Sequence, residues 1–447
     1  LRLRRRCKSA DKYGLFDAQA NFSLAQVLQD HGHYDKSIES YSQSLRAYVA
    51  HFGKDCIYVA EILTGLGKSF AQKLVFNKTI QCYNKAMRVY ENCDGAALKE
   101  KKGLLHREIA VTLQRLDGVH VFDVLGHYRS CVVFLEEFSE RQVEQESTHG
   151  LNKQLLHCYS EMLVVLRQVL GVERDLNIKG ELYEEIEDVL HRMGNLHASF
   201  AQYDEALNCF IEVLPTQRNA NEKLRVADIL FNMGNIYLEQ GHYEKSLECL
   251  RESYDITKEV LGDDNRELHP TMYLISIAMT SLSDSESALA WLTHSLAVLS
   301  SNDSGIENVK DAATRGKMLC QMGTVYEQIG DRKMAFSCFQ ESIQLLTSTR
   351  RDDRELSNAL NSMGNLLRSD SNNNRALDCY YKSLTIRDEL GDELMIANTK
   401  NNIGAVLSAE KVFDHAMAFS AQALRIKTDR LGCECVETGR ALVNVSQ

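Results

Sequence analysis

Thirteen cysteines and fourteen histidines are the residues of this 447-residue chain with the chemistry for metal binding or nucleophilic attack. Five thiols recur in step, Cys82, Cys209, Cys249, Cys338 and Cys379, and Trp291 takes the same place once. A shared metal ion needs several thiolates within bonding distance. One thiol per helical layer puts neighbours about 10 Å apart, the spacing of packed helices, so these thiols are expected to pack as small apolar groups. No Cys-x-x-Cys occurs, and Cys433 and Cys435 are too close in sequence to make a good ligand pair. Thiols that neither cluster nor pair fit a reducing compartment. The histidines are scattered: His31 and His33 flank Gly32, while His197 and His294 stand alone. Neither a zinc-protease His pair nor the glycine-rich patterns of phosphate, dinucleotide or nucleophile-elbow loops are present. Catalysis needs groups of matched pKa converging in a pocket. No catalytic, cofactor or metal residues are assigned, and the chain is read as not an enzyme.

The elements that carry these residues follow from composition. Hydrophobic residues make up 44% and charged residues 25%, enough for a folded chain. Pro215 and Pro270 are the only prolines. A sheet protein of this length would need many more turn breakers, so long helices are expected. No run of about 18 apolar residues stands out, and no membrane span is expected. The net charge of −11 disfavours non-specific nucleic-acid binding. Residues 1–8, Leu-Arg-Leu-Arg-Arg-Arg-Cys-Lys, run against that balance: an import signal or a contact with an anionic surface is one reading, and the preferred one is an exposed helix or arm end, with the chain expected to be a piece of a longer intracellular, cytoplasmic protein.

Self-similarity defines the architecture. Met-Gly-Asn occurs at 193–195, 233–235 and 363–365, with Met322-Gly323-Thr324 and Ile403-Gly404-Ala405 in step. Aligning on the central small residue gives Ala25, Gly67, Gly194, Gly234, Ser276, Gly323, Gly364, Gly404 and Ser446, mostly 40–42 residues apart. Twelve residues further on comes a second small residue: Ser37, Thr79, Ala206, Ser246, Ala288, Ala335, Ala376 or Ala416. Four beyond that sits a mostly bulky one, Tyr41, Tyr83, Phe210, Leu250, Leu292, Phe339 or Tyr380, with Ser420 the exception. Turn signals such as Gly32-His33-Tyr34 and Gly241-His242-Tyr243 lie between the small residues. Each unit therefore reads helix, turn, helix, with small residues where the two helices approach and an aromatic filling the groove beside them.

Small residues at the eighth and twentieth places, a Tyr at the seventeenth and an aromatic near the twenty-fourth resemble the tetratricopeptide repeat. The 40–42-residue period resembles the long-helix variety of kinesin light chains, nephrocystin-3-like proteins and the Asn-rich repeats of cell-polarity adaptors. Arg387-Asp-Glu-Leu-Gly391 running into Asn401-Asn-Ile-Gly404 is similar to the kinesin light chain connector, and Phe52-Gly-Lys-Asp55 and Leu261-Gly-Asp-Asp264 echo it. The resemblance covers about residues 20–90 and 180–447. It implies an all-α, right-handed superhelical solenoid of about ten helical hairpins plus the first half of another. Residues 1–20 form a basic segment, 21–90 regular units, 91–178 divergent units or a hinge, and 179–447 regular units ending in an incomplete one. Within 91–178, Gly126-His127-Tyr128 reads as a turn with Val119 at the small place, and Leu151 to Leu170 reads as one helix without a clear partner.

In the families resembled, places 2, 5, 6 and 9 of each first helix face the concave surface and reach a bound peptide. Carried over, these places hold Asn195, Asp228, Asn232, Asn235, Asn358, Asn361, Asn365, Asn398, Asn401, Asn402 and Asn444. Asparagine is a poor helix former, so its repetition on one face asks for a reason. Its amide offers a donor and an acceptor, which suits an extended peptide backbone. The alternative is that the amides only cross-link neighbouring first helices. Asn361, Asn365, Asn402, Arg440 and Asn444 match the carboxylate clamp of chaperone-binding repeats at both asparagines and one cation. Two of its three cations are absent, which removes most of the attraction to a terminal carboxylate. The resemblance thus implies a scaffold or adaptor that holds a partner protein or peptide, extended or helical, within a larger complex. The runner-up is a regulatory array attached to an enzyme elsewhere in a longer chain. RNA binding lacks repeated cations at the reading positions.

Overall fold

The computed structural model describes residues 11–93, 95–116, 118–141, 148–219, 222–301, 309–349 and 353–431. The basic residues 1–8, both thiols Cys433 and Cys435, and Arg440 and Asn444 lie outside them. The chain divides into two compact units, Leu1–Val213 and Leu214–Gln447.

The first unit contains α1 (Asp11–Asp30), α2 (Tyr34–Phe52), α3 (Ile57–Gln72), α4 (Phe76–Glu91), α5 (Ala96–Leu113), α6 (Val121–Arg141), α7 (Thr148–Val172), α8 (Leu176–Ser199) and most of α9 (Tyr203–Asn219). The second contains α10 (Lys223–Glu239), α11 (Tyr243–Leu261), α12 (His269–Ser281), α13 (Ser285–Ser301), α14 (Val309–Ile329), α15 (Arg332–Thr349), α16 (Asp353–Ser369), α17 (Asn373–Leu390), α18 (Glu393–Ala409) and α19 (Phe413–Leu431). Among the described residues the helices form nine antiparallel hairpins, with α7 left over; the expected half-unit at the end lies outside the described residues.

The small-residue spacing does what it implies. A Cβ on Gly67 would lie 2.3 Å from the Tyr83 ring, on Gly194 2.7 Å from Phe210, on Gly323 2.6 Å from Phe339 and on Gly364 2.6 Å from Tyr380. Each ring is fully buried and lies flat on its partner helix where a side chain would otherwise stand. A second level of contact is made by serines. Ser44, Ser253, Ser342 and Ser383 donate to the carbonyls of Ala18, Ala227, Gly316 and Ser357, each 26 residues earlier, at 2.6–2.8 Å. A hydroxyl is small enough for close helix approach, and it uses the spare lone pair of a carbonyl already in the helix ladder.

The turns also repeat. Seven residues after the small residue the chain adopts a left-handed conformation, at Gly32, Leu74, Ala201, Gly241, Ser283, Gly330, Ser371 and Lys411. Five of these are not glycine, and the left-handed region costs a residue with a Cβ about 1–2 kcal/mol. Glycine relieves that cost but gains entropy in the unfolded chain. Leu74→Gly and Lys411→Gly are each expected to stabilise by about 0.5–1 kcal/mol, read as a higher Tm; a lower Tm for both contradicts this account of the turns.

The divergent stretch departs from the expected register. Gly126-His127-Tyr128 lies inside α6, and the chain turns earlier, with Gly118 at φ 81°. Gly-His-Tyr makes a turn in other units because its Gly is left-handed and its Tyr starts the next helix. Here Gly118 supplies the left-handed residue earlier, and Val119 falls in the turn. The close approach of α5 to α6 is made by Gly103, whose Cβ would meet Leu135 at 3.0 Å and the Cys131 carbonyl at 3.1 Å. α7 is one helix, as expected, and buries Leu155, Tyr159, Met162, Leu166 and Val169. Contrary to the expectation from composition, it is long and apolar enough over His149–Val172 to cross a membrane; 44% of its most apolar window is buried in the protein.

Because α7 is a single helix, it shifts the pairing of layers in the first unit. Arg107 of α5 holds Glu161 of α7 through two bonds of 2.7 and 2.8 Å. Arg129 and Glu136 of α6 pair with Glu185 and Arg192 of α8. α8 opens a hairpin, yet it neighbours α6, which closes one.

Candidate functional site

In the second unit the asparagines of α16 and α18 form a connected set. The Asn402 amide donates from Nδ2 to Asn361 Oδ1 at 3.2 Å, joining two successive first helices. The Tyr380 hydroxyl donates to Asn365 Oδ1 at 2.7 Å. Arg387 donates from Nη2 to Asn358 Oδ1 at 2.9 Å. An arginine has donors only, so the orientation of Asn358 is fixed. All three oxygens on α16 are thus occupied from within the protein. The four asparagines are half-buried.

Arg387 organises this corner. Its side chain is buried, and it also donates to Ser357 Oγ at 3.3 Å, to the Met395 carbonyl at 3.0 Å and to Thr399 Oγ1. Burial pushes its pKa down, with Asp392 opposing. It ties α16, α17 and α18 together just before the left-handed Gly391 that ends α17. This is what the connector sequence Arg387–Gly391 does physically.

The remaining predicted residues are placed less tightly. Asn232 and Asn235 of α10 and Asn398 and Asn401 of α18 are half-buried on the first helices of their hairpins. Asp228 and Asn401 make interactions of their own. Asn195 is exposed on α8 of the first unit, so it is not in the second unit with the other asparagines.

The first unit holds a cleft of about 770 Å³ that residue types alone did not reveal. It is lined by α1, α3 and α5, among others by Phe22, Gln26, Glu61, Thr64, Lys68 and Glu108. Lys101 pairs with Glu61 and Lys68 with Glu108, so most of its charge is already balanced. No residue type stands out there; only the alignment of three helices creates the space.

The recurring thiols pack between helices: Cys82, Cys209 and Cys338 are buried, and Cys249 and Cys379 half-buried. Burial pushes all five thiols up in pKa, Cys249 and Cys338 to about 11. Cys131 of α6 and Cys158 of α7 are a different case, with sulfurs 3.3 Å apart and both fully buried. They lie outside the periodic pattern, so spacing could not pair them. Among the described residues, no three metal-ligating side chains converge.

A titrating pair sits in the α5–α6 hairpin. His106 Nδ1 and His127 Nδ1 are 2.9 Å apart, and His106 stacks on Phe134 at 5.7 Å. Burial and the neighbouring His127 push His106 down to about 4, and burial lowers His127 as well. A histidine depressed in the folded state lets the unfolded state bind more protons as pH falls, so stability is lost below the unfolded value near 6.5. Allowing for partial exposure, His106 accounts for a loss of roughly 1–2 kcal/mol between pH 7 and pH 5. The Tm of a His106→Gln variant should fall less steeply over that range; an identical slope contradicts the assignment.

Residues 185–259, 225–301 and 314–389 match the family model described as tetratricopeptide repeat. Similar solved structures include BtubC (BKLC) from P. vanneervenii, at 14% identity over 58% of this chain and 94% of that one, TM-score 0.43. The Podosopora anserina putative kinesin light chain nearly identical TPR-like repeats are similar at 12% identity over 45% and 94%, TM-score 0.36. The APC/C hetero-tetramer Cut9-Hcn1 is similar at 13% identity over 100% and 94%, TM-score 0.46. No curated protein matches the chain. The matched segments are tetratricopeptide repeats, and the described elements are all helices. In general terms the chain is a protein-interaction scaffold.

Proposed function

We propose that the chain holds an extended peptide segment of a partner protein against the first helices of its second unit. The observation that carries this reading is the amide set of Asn358, Asn361, Asn365 and Asn402, whose α16 oxygens are all engaged internally. With those oxygens taken, the Nδ2 groups are the donors this helix would offer, and a peptide in extended form offers carbonyls along its length. Asn402 Oδ1 adds an acceptor for a peptide N–H. A cross-link alone would need only one bond between helices, as between Asn402 and Asn361; the oxygens of Asn358 and Asn365 are instead held by groups of α17. Asn232, Asn235, Asn398 and Asn401 would extend the same surface, and with the cations of a carboxylate clamp largely absent the peptide is read internally rather than at its terminus.

Twelve-residue peptides selected from a random display library on the intact chain, each carrying a photoreactive group, test the location. The expected cross-links fall on α16 and α18. Cross-links confined to the first unit would move the peptide site to the cleft of α1, α3 and α5.

A further inference from the structure

A second kind of site lies in the first unit, in a cavity of about 510 Å³ between α7 and α8. His149 and Lys153 of α7 and His197 of α8 line it, with Leu156, Met193 and Phe200 forming its apolar wall. No aspartate or glutamate among the described residues lines this cavity, in a chain whose net charge is −11. Lys153 is exposed and has no ion-pair partner among the described residues, whereas the other cations of this region are neutralised. Arg107 is held by Glu161 and Arg129 by Glu185. His157, also in the lining, is held at Nε2 by Arg107. His197 is oriented by a 2.8 Å bond from Nδ1 to Gln202 Oε1, which leaves Nε2 for a ligand. His149 packs edge-on against Phe200, with ring centroids 4.9 Å apart.

We propose that this cavity binds an aryl phosphate: the phosphate sits among Lys153, His149 and His197, and the aromatic ring rests on Leu156, Met193 and Phe200. The Lys153 ammonium supplies donors for an anion with several acceptor oxygens, while His197, whose Nδ1–H is already given to Gln202, turns Nε2 to the ligand as an acceptor for a phosphate O–H or, as imidazolium, as a further donor. An apolar wall opposite them favours a ring over an inorganic ion. The aryl phosphate comes either as a free small molecule or as a phosphorylated tyrosine of a partner, and both share the same chemistry. The site is separate from the asparagine surface of the second unit and does not depend on it.

The test is a titration of the intact chain with phenyl phosphate, following the imidazole NMR signals of His149 and His197. Both should shift saturably, and phenyl phosphate should bind at least tenfold tighter than phenol or inorganic phosphate. Lys153→Gln should weaken it tenfold or more, while Lys36→Gln on the exposed face of α2 should not. A phosphotyrosine tetrapeptide binding tighter than phenyl phosphate assigns the protein-borne source; weaker binding assigns the free one. Absence of imidazole shifts at millimolar phenyl phosphate overturns the proposal. So does equal binding of phenol or phosphate, or an unchanged affinity in Lys153→Gln with helicity intact.

Discussion

Gly364→Leu is expected to destabilise the chain by about 3 kcal/mol, at the upper end of what overpacking costs. The first added atom alone would lie 2.6 Å from Cε1 of Tyr380, well inside van der Waals contact. That ring cannot retreat, because it is fully buried and its hydroxyl is bonded to Asn365. The neighbouring Asn365→Ala is the comparison. It removes the acceptor of the Tyr380 hydroxyl, so a cost of about 1 kcal/mol is expected. On the sequence alone Asn365 would point only into the groove, and about 0.5 kcal/mol or less would follow. Thermal melts of the two variants should therefore differ by several degrees. Equal melting would mean that the helix pair opens at little cost, against the close approach seen at Gly67, Gly194, Gly323 and Gly364.

The second large effect belongs to Arg387→Met. Methionine keeps most of the buried stem but none of the donors. The substitution leaves Asn358 Oδ1 without its donor, while the Met395 carbonyl keeps the Thr399 hydroxyl, and Ser357 and Thr399 lose a donor. Each orphaned buried acceptor costs about 1–3 kcal/mol, offset by no longer burying a charge without a bonded carboxylate. A net loss of about 2–3 kcal/mol is expected in urea unfolding. The same variant should free Asn358 to reorient, so peptide affinity should fall together with stability. A neutral result would show that the desolvation of the charge cancels its hydrogen bonds.

Much of the fold was legible because it depends on contacts that recur at fixed spacing. Gly364 and Tyr380 are 16 residues apart in sequence and in contact in the hairpin, and the same interval recurs in Gly67–Tyr83, Gly194–Phe210 and Gly323–Phe339. The serine level was missed because serine is common on surfaces, and nothing in Ser253 or Ser383 distinguishes a buried donor from an exposed one. Gly126-His127-Tyr128 misled for a related reason: a triplet that makes a turn elsewhere becomes helix interior once Gly118 has already reversed the chain. For the candidate site, the sequence located the asparagines but not their partners. Arg387 and Tyr380 come from α17, so their hold on Asn358 and Asn365 depends on the hairpin closing. The cleft of α1, α3 and α5 and the cavity beside α7 have no residue signature at all; they exist only where helices of different units of sequence are laid side by side.

The most direct measurement is the affinity of a selected peptide for the wild-type chain and for the double variant Asn361→Ala, Asn402→Ala, by fluorescence anisotropy at equal helicity. The pair spans α16 and α18 at half-buried positions, so its removal should leave the fold within about 1 kcal/mol of wild type. Two lost amides, each worth about 1–3 kcal/mol against peptide groups, should weaken binding by tenfold or more. Unchanged affinity in the double variant, with an unchanged melt, would contradict the peptide-holding role of this surface.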